Sequence, residues 1–212
     1  MPTRHLIWDW NGTLLDDLEL CLEIINGMLR ERALPAITRS SYLEIFDFPV
    51  QNYYQAIGFD FSREPFEKVS DQFIQAYEKG RPGCQLMDGS REILAQMASL
   101  GISQSILSAS RASYLVKAVA EYGIEGFFTS VHGLDNHHAA GKLDLARAFL
   151  KTCQLDPAAM LLVGDTTHDG EIARALGVPC ILIPRGHHSR RRLEETGFQV
   201  VSSLADLPGL IP

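Results

Sequence analysis

The sequence predicts an α/β protein built on a doubly wound parallel sheet. Five short apolar runs alternate with segments of helical periodicity, which is the pattern of strands joined by crossover helices. The runs are continuous rather than alternating, as expected for strands covered on both faces. Three of them stop at polar residues, namely Asp9, Ser108 and the Gly164-Asp165 pair. A chain of 212 residues can form one sizeable core and a small inserted domain.

The predicted strands are the apolar runs themselves, at residues 6–8, 106–107, 127–131, 161–163 and 180–183. Helices are expected between them. Ser110 is placed to cap a helix that ends at Gly123, and residues 142–153 carry apolar side chains at helical spacing. The helix predicted over 169–176 is followed by Gly177, a residue typical of helix ends.

Residues 16–83 interrupt this alternation and predict a helical insert. An apolar stripe begins at Leu18, and Asp16 with Glu19 predicts a capping box at its start. Further helical segments are expected at 40–46, 50–57 and 63–77. The Gly-Arg-Pro-Gly run at 80–83 is typical of a hinge. We therefore predict a core of residues 1–15 and 84–212, with a helical cap of residues 16–83.

Composition narrows the class of partner. The formal net charge of −7 gives no basic surface for nucleic acid, so an anionic substrate would need local positive charge in its pocket. The four cysteines show no pairing pattern, and no apolar run is long enough to span a bilayer. We also expect no signal peptide. These features favour a cytoplasmic monomer or homodimer that acts on a small molecule, without a nucleic-acid or membrane partner.

The polar residues that end the predicted strands suggest one site. Ligands of parallel α/β sheets bind beyond the carboxyl ends of the strands, so Asp9, Ser108 and Asp165 can converge although they are distant in sequence. Lys142 follows Ala139-Ala140-Gly141 and opens a predicted helix, from which it can reach the same edge.

Taken in order, these motifs resemble those of the haloacid dehalogenase-like hydrolase superfamily. They are Asp9-Trp10-Asn11-Gly12-Thr13, Ser108 after an apolar strand, Lys142 at a helix start, and Gly164-Asp165-Thr166 followed by Asp169. The resemblance covers nearly the whole chain, and the helical insert is similar to the cap of this family. Within the family, the sequence is most similar to the phosphoglycolate-phosphatase-like branch.

The resemblance implies a Mg²⁺-dependent phosphatase that acts on a small phosphorylated metabolite. Asp9 would attack phosphorus and form an aspartyl-phosphate, which splits one difficult displacement into two. Mg²⁺ would be held by Asp9, the backbone carbonyl of Asn11 and Asp165, and would reduce the repulsion between carboxylate and phosphate. Asp169 would support the metal or Lys142.

The same resemblance assigns the phosphate-binding residues. Ser108, with the adjacent Ala109, and Lys142 would bind phosphoryl oxygens. In the first motif, Gly12 would let backbone N–H groups of the loop that includes Trp10 approach the phosphate closely.

Asn11 departs from the usual family pattern, because phosphatases of this family carry aspartate at this catalytic position. That aspartate protonates the leaving oxygen and then activates water, help that is typically worth ~10²–10⁴-fold, whereas an amide has no proton to exchange. Three interpretations stay open. The leaving group needs little protonation, as in an acyl, aryl or diphosphate group; a cap residue or ordered water supplies the proton; or turnover is slow. The alternatives to a phosphatase are a phosphoryl transferase or mutase and a non-catalytic phosphate-binding protein.

Several candidate residues also have a structural interpretation. Ser108 could cap the following helix, and Asp165 and Asp169 could cap the helix after their strand. Trp10 is either scaffold or pocket wall. The adjacent acids Asp16 and Asp17 are more simply helix caps than replacement acids.

Two further clusters also have more than one interpretation. His137-His138 suggests a solvated loop more than a metal site, since adjacent histidines point apart. The aromatic cluster in the insert is either cap core, which we favour, or a surface that faces the active site and selects the substrate. Its members are Phe46-Asp47-Phe48-Pro49, Tyr53 and Tyr54.

Overall fold

The computed structural model describes residues 2–134, 141–153 and 155–211, and it confirms the predicted α/β class. The main sheet has six strands, all paired in parallel, in the order β5-β4-β1-β6-β7-β8. The strands are β1 (His5–Trp8), β4 (Ser103–Arg111), β5 (Ser130–Leu134), β6 (Met160–Gly164), β7 (Cys180–Leu182) and β8 (Gln199–Val200). A separate antiparallel ribbon joins β2 (Leu15–Asp16) to β3 (Gln85–Leu86).

Helices cover both faces of the sheet, which explains why every residue of β1, β6 and β7 is buried. In β1, Leu6 and Trp8 pack in one apolar cluster with Leu94, whereas Ile7 packs in a second cluster with Phe149 and Ile172. The helices of this part of the chain are α5 (Ser90–Ser99), α6 (Ala112–Glu121), α7 (Lys142–Thr152), α8 (Thr167–Leu176) and α9 (Arg190–Glu194). Gly177 ends α8 at a φ of 66°, the left-handed conformation expected of it.

The insert predicted at residues 16–83 contains four helices, which lie between Leu18 and Gly80. They are α1 (Leu18–Glu31), α2 (Arg39–Ile45), α3 (Val50–Ala56) and α4 (Phe66–Gly80). Their apolar faces pack around a cluster of their own, in which Ile25, Leu29 and Tyr54 are buried. The chain leaves for the insert through β2 and returns through β3, whose residues Leu15 and Leu86 are paired.

Three local predictions are wrong. The strand expected at 127–131 begins only at Ser130, because Phe127 closes a 3₁₀ turn and its apolar side chain packs partly against the core. The capping box of Asp16 and Glu19 does not form, since Asp16 lies in β2 and Asp17 occupies the N-cap position without a side-chain cap bond. The N-cap of α6 is Arg111 rather than Ser110.

No helix in the described ranges is long and apolar enough to cross a membrane.

Candidate active site

The predicted site residues meet at the carboxyl edge of the sheet. Asp9 directly follows β1, and its backbone N–H donates to Val163 in the neighbouring strand at 2.9 Å. Ser108 lies in β4 on the other side of β1, and Asp165 follows β6. Because β1 is hydrogen-bonded to both β4 and β6, the three side chains end at one place. All three are buried.

Lys142 is the first residue of α7 and connects two of the acids. Its Nζ lies 2.6 Å from Asp9 Oδ1 and 2.7 Å from Asp169 Oδ1, and its side chain is 5% exposed. Burial alone would lower the pKa of Lys142, but the nearby charges of Asp169 and Asp9 raise it above its usual value. Lys142 is therefore a fixed positive charge beside Asp9.

Asp169 belongs to a helix capping box and also contacts Lys142. Its Oδ2 accepts hydrogen bonds from the backbone N–H and the hydroxyl of Thr166, at 3.0 and 2.6 Å, which completes a capping box at the start of α8. Its Oδ1 faces Lys142. The two interpretations of Asp169 are thus compatible, because each uses a different oxygen. Thr166, not Asp165, is the N-cap residue.

Three carboxylates are grouped tightly enough to hold a metal ion. One oxygen each from Asp9, Asp165 and Asp169 lies within 4.8 Å of the others. Burial raises the pKa of Asp165 to about 6, while His187 lowers this pKa and Asp169 raises it further. Burial also raises the pKa of Asp9, although Lys142 opposes the shift. Three buried acids beside one ammonium favour a further cation, and hard carboxylate oxygens fit Mg²⁺.

Asp165 is oriented by two donors. Thr13 Oγ1 donates to Oδ1 at 2.9 Å, and the backbone N–H of His187 donates to Oδ2 at 2.6 Å. Contacts of this kind fix a carboxylate in the geometry that a metal ligand needs.

Glycine is required at position 12 because a side chain would not fit there, and not because its amide has to be exposed. Its φ is 73°, and a Cβ there would lie 2.3 Å from Asp165 Oδ2. Its N–H donates to the Leu15 carbonyl and to Asp17 Oδ1, both at 2.9 Å. Because Leu15 and Asp17 already use the Gly12 amide, the prediction that Gly12 allows backbone N–H groups to approach the phosphate concerns the other amides of the loop.

We expect Gly12→Ala to lower stability and to impair the metal site, because its Cβ displaces the Asp165 carboxylate. Gly101→Ala is the matched control, since Gly101 has the same φ of 73° with no heavy atom within 4 Å of its Cβ position. The left-handed conformation alone costs about 1–2 kcal/mol, and overpacking adds about 1–3 kcal/mol for Gly12. Denaturant unfolding measures both variants, and equal losses would contradict the packing argument.

The Trp10 side chain lies away from the site. It is 1% exposed, belongs to the main apolar cluster and packs against Tyr122 at a ring distance of 5.9 Å. The indole is therefore scaffold and not a pocket wall, so a contact of Trp10 with phosphate would have to come from its backbone.

All hydrogen-bonding groups of the Asn11 side chain are engaged. Nδ2 donates to Asp17 Oδ2 at 2.7 Å and to the Tyr77 hydroxyl at 2.6 Å. Oδ1 accepts from Ser110 Oγ at 2.7 Å. This is the actual contact of Ser110, whose backbone N–H donates to Ser108 Oγ at 3.0 Å. The amide is held in place and does not act as a mobile group.

Asp17 and His187 are site residues that the sequence did not identify. The Asp17 side chain is 1% exposed and accepts from Gly12, Asn11 and Tyr77. His187 Nε2 lies 3.2 Å from Asp17 Oδ1, and His187 Nδ1 lies 3.0 Å from the Tyr42 hydroxyl. Burial would lower the pKa of His187, but Asp17 raises it to about 9, so the two form an ion pair. Asp17 occupies the N-cap position of α1, as the cap interpretation expects, but its oxygens face the site instead of capping the helix.

A cavity of about 370 Å³ opens above these residues. Asp9, Ser108, Ala109 and Lys142 line one end of it. The insert supplies mainly aromatic and apolar side chains to the rest of the lining, including Phe46, Phe48, Tyr53, Tyr54, Phe73 and Tyr77. Tyr53 and Tyr54 also belong to the apolar cluster of the insert, so both interpretations of the aromatic cluster apply. His137-His138 and Ala139-Ala140 lie outside the described residues.

Comparisons with known proteins identify the family of the chain. A family model described as haloacid dehalogenase-like hydrolase matches residues 6–183. The chain is 24% identical to a phosphoglycolate phosphatase of Synechococcus elongatus, covering 90% of this chain and 88% of that protein. It is 25% identical to an N-acetylmuramic acid 6-phosphate phosphatase of Pseudomonas putida, covering 95% and 92%. The crystal structure of a predicted phosphatase from Clostridium acetobutylicum is 18% identical, with a TM-score of 0.84 and coverage of 100% and 99%.

Proposed function

As a member of the haloacid dehalogenase-like hydrolase family, in its phosphoglycolate-phosphatase-like branch, the chain is a phosphatase, and we propose that it hydrolyses a small phosphorylated metabolite with Mg²⁺ through an aspartyl-phosphate on Asp9. The observation that carries the proposal is the buried Asp9 carboxylate at the end of the central strand, 2.6 Å from Lys142 and grouped with Asp165 and Asp169. The proposed setting is the cytoplasm, with the residue 16–83 segment acting as the cap.

In the first step, an oxygen of Asp9 forms a bond to phosphorus while the bond to the leaving oxygen breaks. Lys142 holds Asp9 Oδ1 and so orients the attacking carboxylate. In the second step, water attacks the aspartyl-phosphate, releases inorganic phosphate and regenerates the carboxylate. Asp9, Asp165 and the Asn11 backbone carbonyl would hold Mg²⁺ with support from Asp169, and the ion would offset the repulsion between carboxylate and phosphate dianion.

Ser108 is positioned to bind a phosphoryl oxygen. Its Oγ accepts the Ser110 N–H, and among the described residues its hydroxyl proton has no acceptor in the protein. That proton can therefore be donated to the phosphoryl group, next to the charge of Lys142. Ala109 lies beside Ser108 in the cavity lining and is proposed to contribute its backbone.

Mg²⁺ is expected to stabilise the protein as well as to support turnover. At about 100 times its dissociation constant, an ion that binds only the folded state adds about 2.7 kcal/mol, which corresponds to a Tm rise of about 5–10 °C. Thermal unfolding with and without Mg²⁺ measures this shift, and phosphate release is followed in parallel. Asp165→Asn should lose the shift, whereas Asp144→Asn, at an exposed acid of α7, should keep it. Phosphate release that persists after chelation would contradict the metal requirement.

The proposed hydrolase and its two rivals differ in the fate of the phosphoenzyme. Rapid quenching with a phosphate-labelled substrate should show an intermediate that breaks down in water at the rate of turnover. A long-lived phosphoenzyme discharged by a second hydroxyl compound would indicate a transferase or mutase. Mg²⁺-dependent binding without any phosphate release would indicate a binding protein.

A further inference from the structure

We propose that the substrate is an aryl phosphate, a monoester of a phenolic hydroxyl whose ring lies among the aromatic side chains of the insert. The inference rests on the phosphatase function proposed above and names its substrate class. Two independent observations carry it: the walls of the cavity and the fixed amide of Asn11.

The walls of the cavity suit a ring. Phe46, Phe48 and Tyr53 form one continuous aromatic group, with ring distances of 5.4 Å between Phe46 and Phe48 and 5.2 Å between Phe46 and Tyr53. A cavity of about 150 Å³ lined by apolar side chains is known to accept benzene, so about 370 Å³ accommodates a substituted ring together with the phosphate. Aromatic pairs add about 0.5–1.5 kcal/mol beyond the burial of area.

The same walls do not suit a second anionic group. Among the described lining residues, the insert contributes no lysine or arginine, and its two acids are Asp17 and Glu78, of which Glu78 lies 3.7 Å from Arg81. Arg111, from the core, is exposed, and its guanidinium lies 5.4 Å from the Tyr114 ring centroid. A carboxylate or second phosphate deep in the cavity would be buried without a cation from the insert, which is costly. The cavity therefore favours an aryl leaving group over a diphosphate.

The fixed amide of Asn11 favours a substrate with a good leaving group. Tyr77 donates its hydroxyl proton to Asp17, and both ring nitrogens of His187 face Asp17 and Tyr42. Neither of these neighbours therefore presents a free proton to a leaving oxygen. A phenol has a pKa of about 10, whereas aliphatic alcohols are about as weakly acidic as water, near 15.7. A phenolate can leave with its electron pair and take a proton from solvent afterwards.

Matched esters separate recognition of the ring from departure of the leaving group. Phenyl phosphate combines an aromatic ring with a phenolate leaving group, and benzyl phosphate combines an aromatic ring with an alkoxide leaving group. Cyclohexyl phosphate has an aliphatic ring and an alkoxide leaving group. We expect similar KM values for the two ring esters, with kcat about 100-fold lower for benzyl phosphate, and a higher KM for cyclohexyl phosphate. Asn11→Asp should narrow the kcat gap between phenyl and benzyl phosphate at least about tenfold, because it restores a proton donor.

Binding of phosphonates tests the cavity without any chemistry. Phenylphosphonate should inhibit about tenfold more tightly than methylphosphonate or phosphonoacetate.

The outcomes distinguish the two levels of the proposal. Faster turnover of 2-phosphoglycolate or sugar phosphates than of the aryl esters would overturn the aryl class and leave the phosphatase standing. Tight binding of phenylphosphonate with no phosphate release from any ester would overturn the phosphatase and leave the aryl ligand class standing. Equal inhibition by all three phosphonates would overturn recognition of the ring.

Discussion

Asp9→Asn should abolish phosphate release, with kcat falling by about 10⁴-fold or more, as for the loss of other covalent nucleophiles. The amide has the size of the carboxylate and keeps an oxygen that can accept from Lys142 Nζ, now 2.6 Å from Asp9 Oδ1. It does not carry the negative charge that attacks phosphorus, so no phosphoenzyme should form. Initial rates of phosphate release and rapid quenching with a labelled ester measure the two effects.

The control for this variant is Asp16→Asn, seven residues further along the chain. Asp16 is exposed in β2 and should tolerate the change with full activity. Inhibition by a phosphonate should survive in Asp9→Asn, which would show that the pocket is intact. Activity within tenfold of the wild type in Asp9→Asn would contradict nucleophilic attack by this residue.

Lys142→Met should lower kcat by about 10²–10³-fold and destabilise the protein by about 3–5 kcal/mol. The methionine fills a similar volume but leaves Asp9 and Asp169 facing each other without the ammonium that lies between them. Loss of activity follows from removal of the charge beside the transferred phosphoryl group. Loss of stability follows from the two orphaned buried acids, and denaturant unfolding measures it.

A double variant separates these two effects. In Lys142→Met with Asp169→Asn, one orphaned charge is gone while an oxygen remains to accept from Thr166, so stability should recover substantially. Activity should stay low, because the phosphoryl group still lacks its cation. Recovery of activity in the double variant would show that Lys142 serves only to neutralise Asp169. Lys151→Met, at the exposed end of α7, should change neither quantity.

The juxtaposition of Asp9, Ser108, Lys142 and Asp165 was predictable because it follows from one rule of topology. Asp9 and Asp165 directly follow parallel strands, Ser108 lies near the carboxyl end of β4, and Lys142 opens a helix. Such positions share an edge whatever their separation in sequence. The fold class was predictable for a related reason, since helices on both faces demand continuous apolar strands such as residues 6–8. The strand predicted at 127–131 was placed too early, because the apolar residues of the packed turn before it have the same local pattern as a strand.

The contacts around Asn11 were not predictable from one sequence. Asp17 occupies an N-cap position, where an acid has an ordinary structural explanation, and its partner His187 lies 170 residues away. Tyr77 reaches Asn11 from the last turns of α4, a placement that depends on how the insert packs. No local spacing relates these residues, so only the folded chain brings them together.

The antiparallel pairing of β2 with β3 has a consequence for how such an enzyme can diversify. The segment of residues 17–84 begins and ends at the paired strands β2 and β3. These two strands hold the ends of the segment together whatever the segment contains. The entropy of closing a loop grows only with the logarithm of its length, about 0.6 kcal/mol for each doubling. Helices can therefore be lengthened, shortened or replaced within this segment at little cost to the sheet. Specificity for the organic part of the substrate and the chemistry of the phosphate can then be inherited separately.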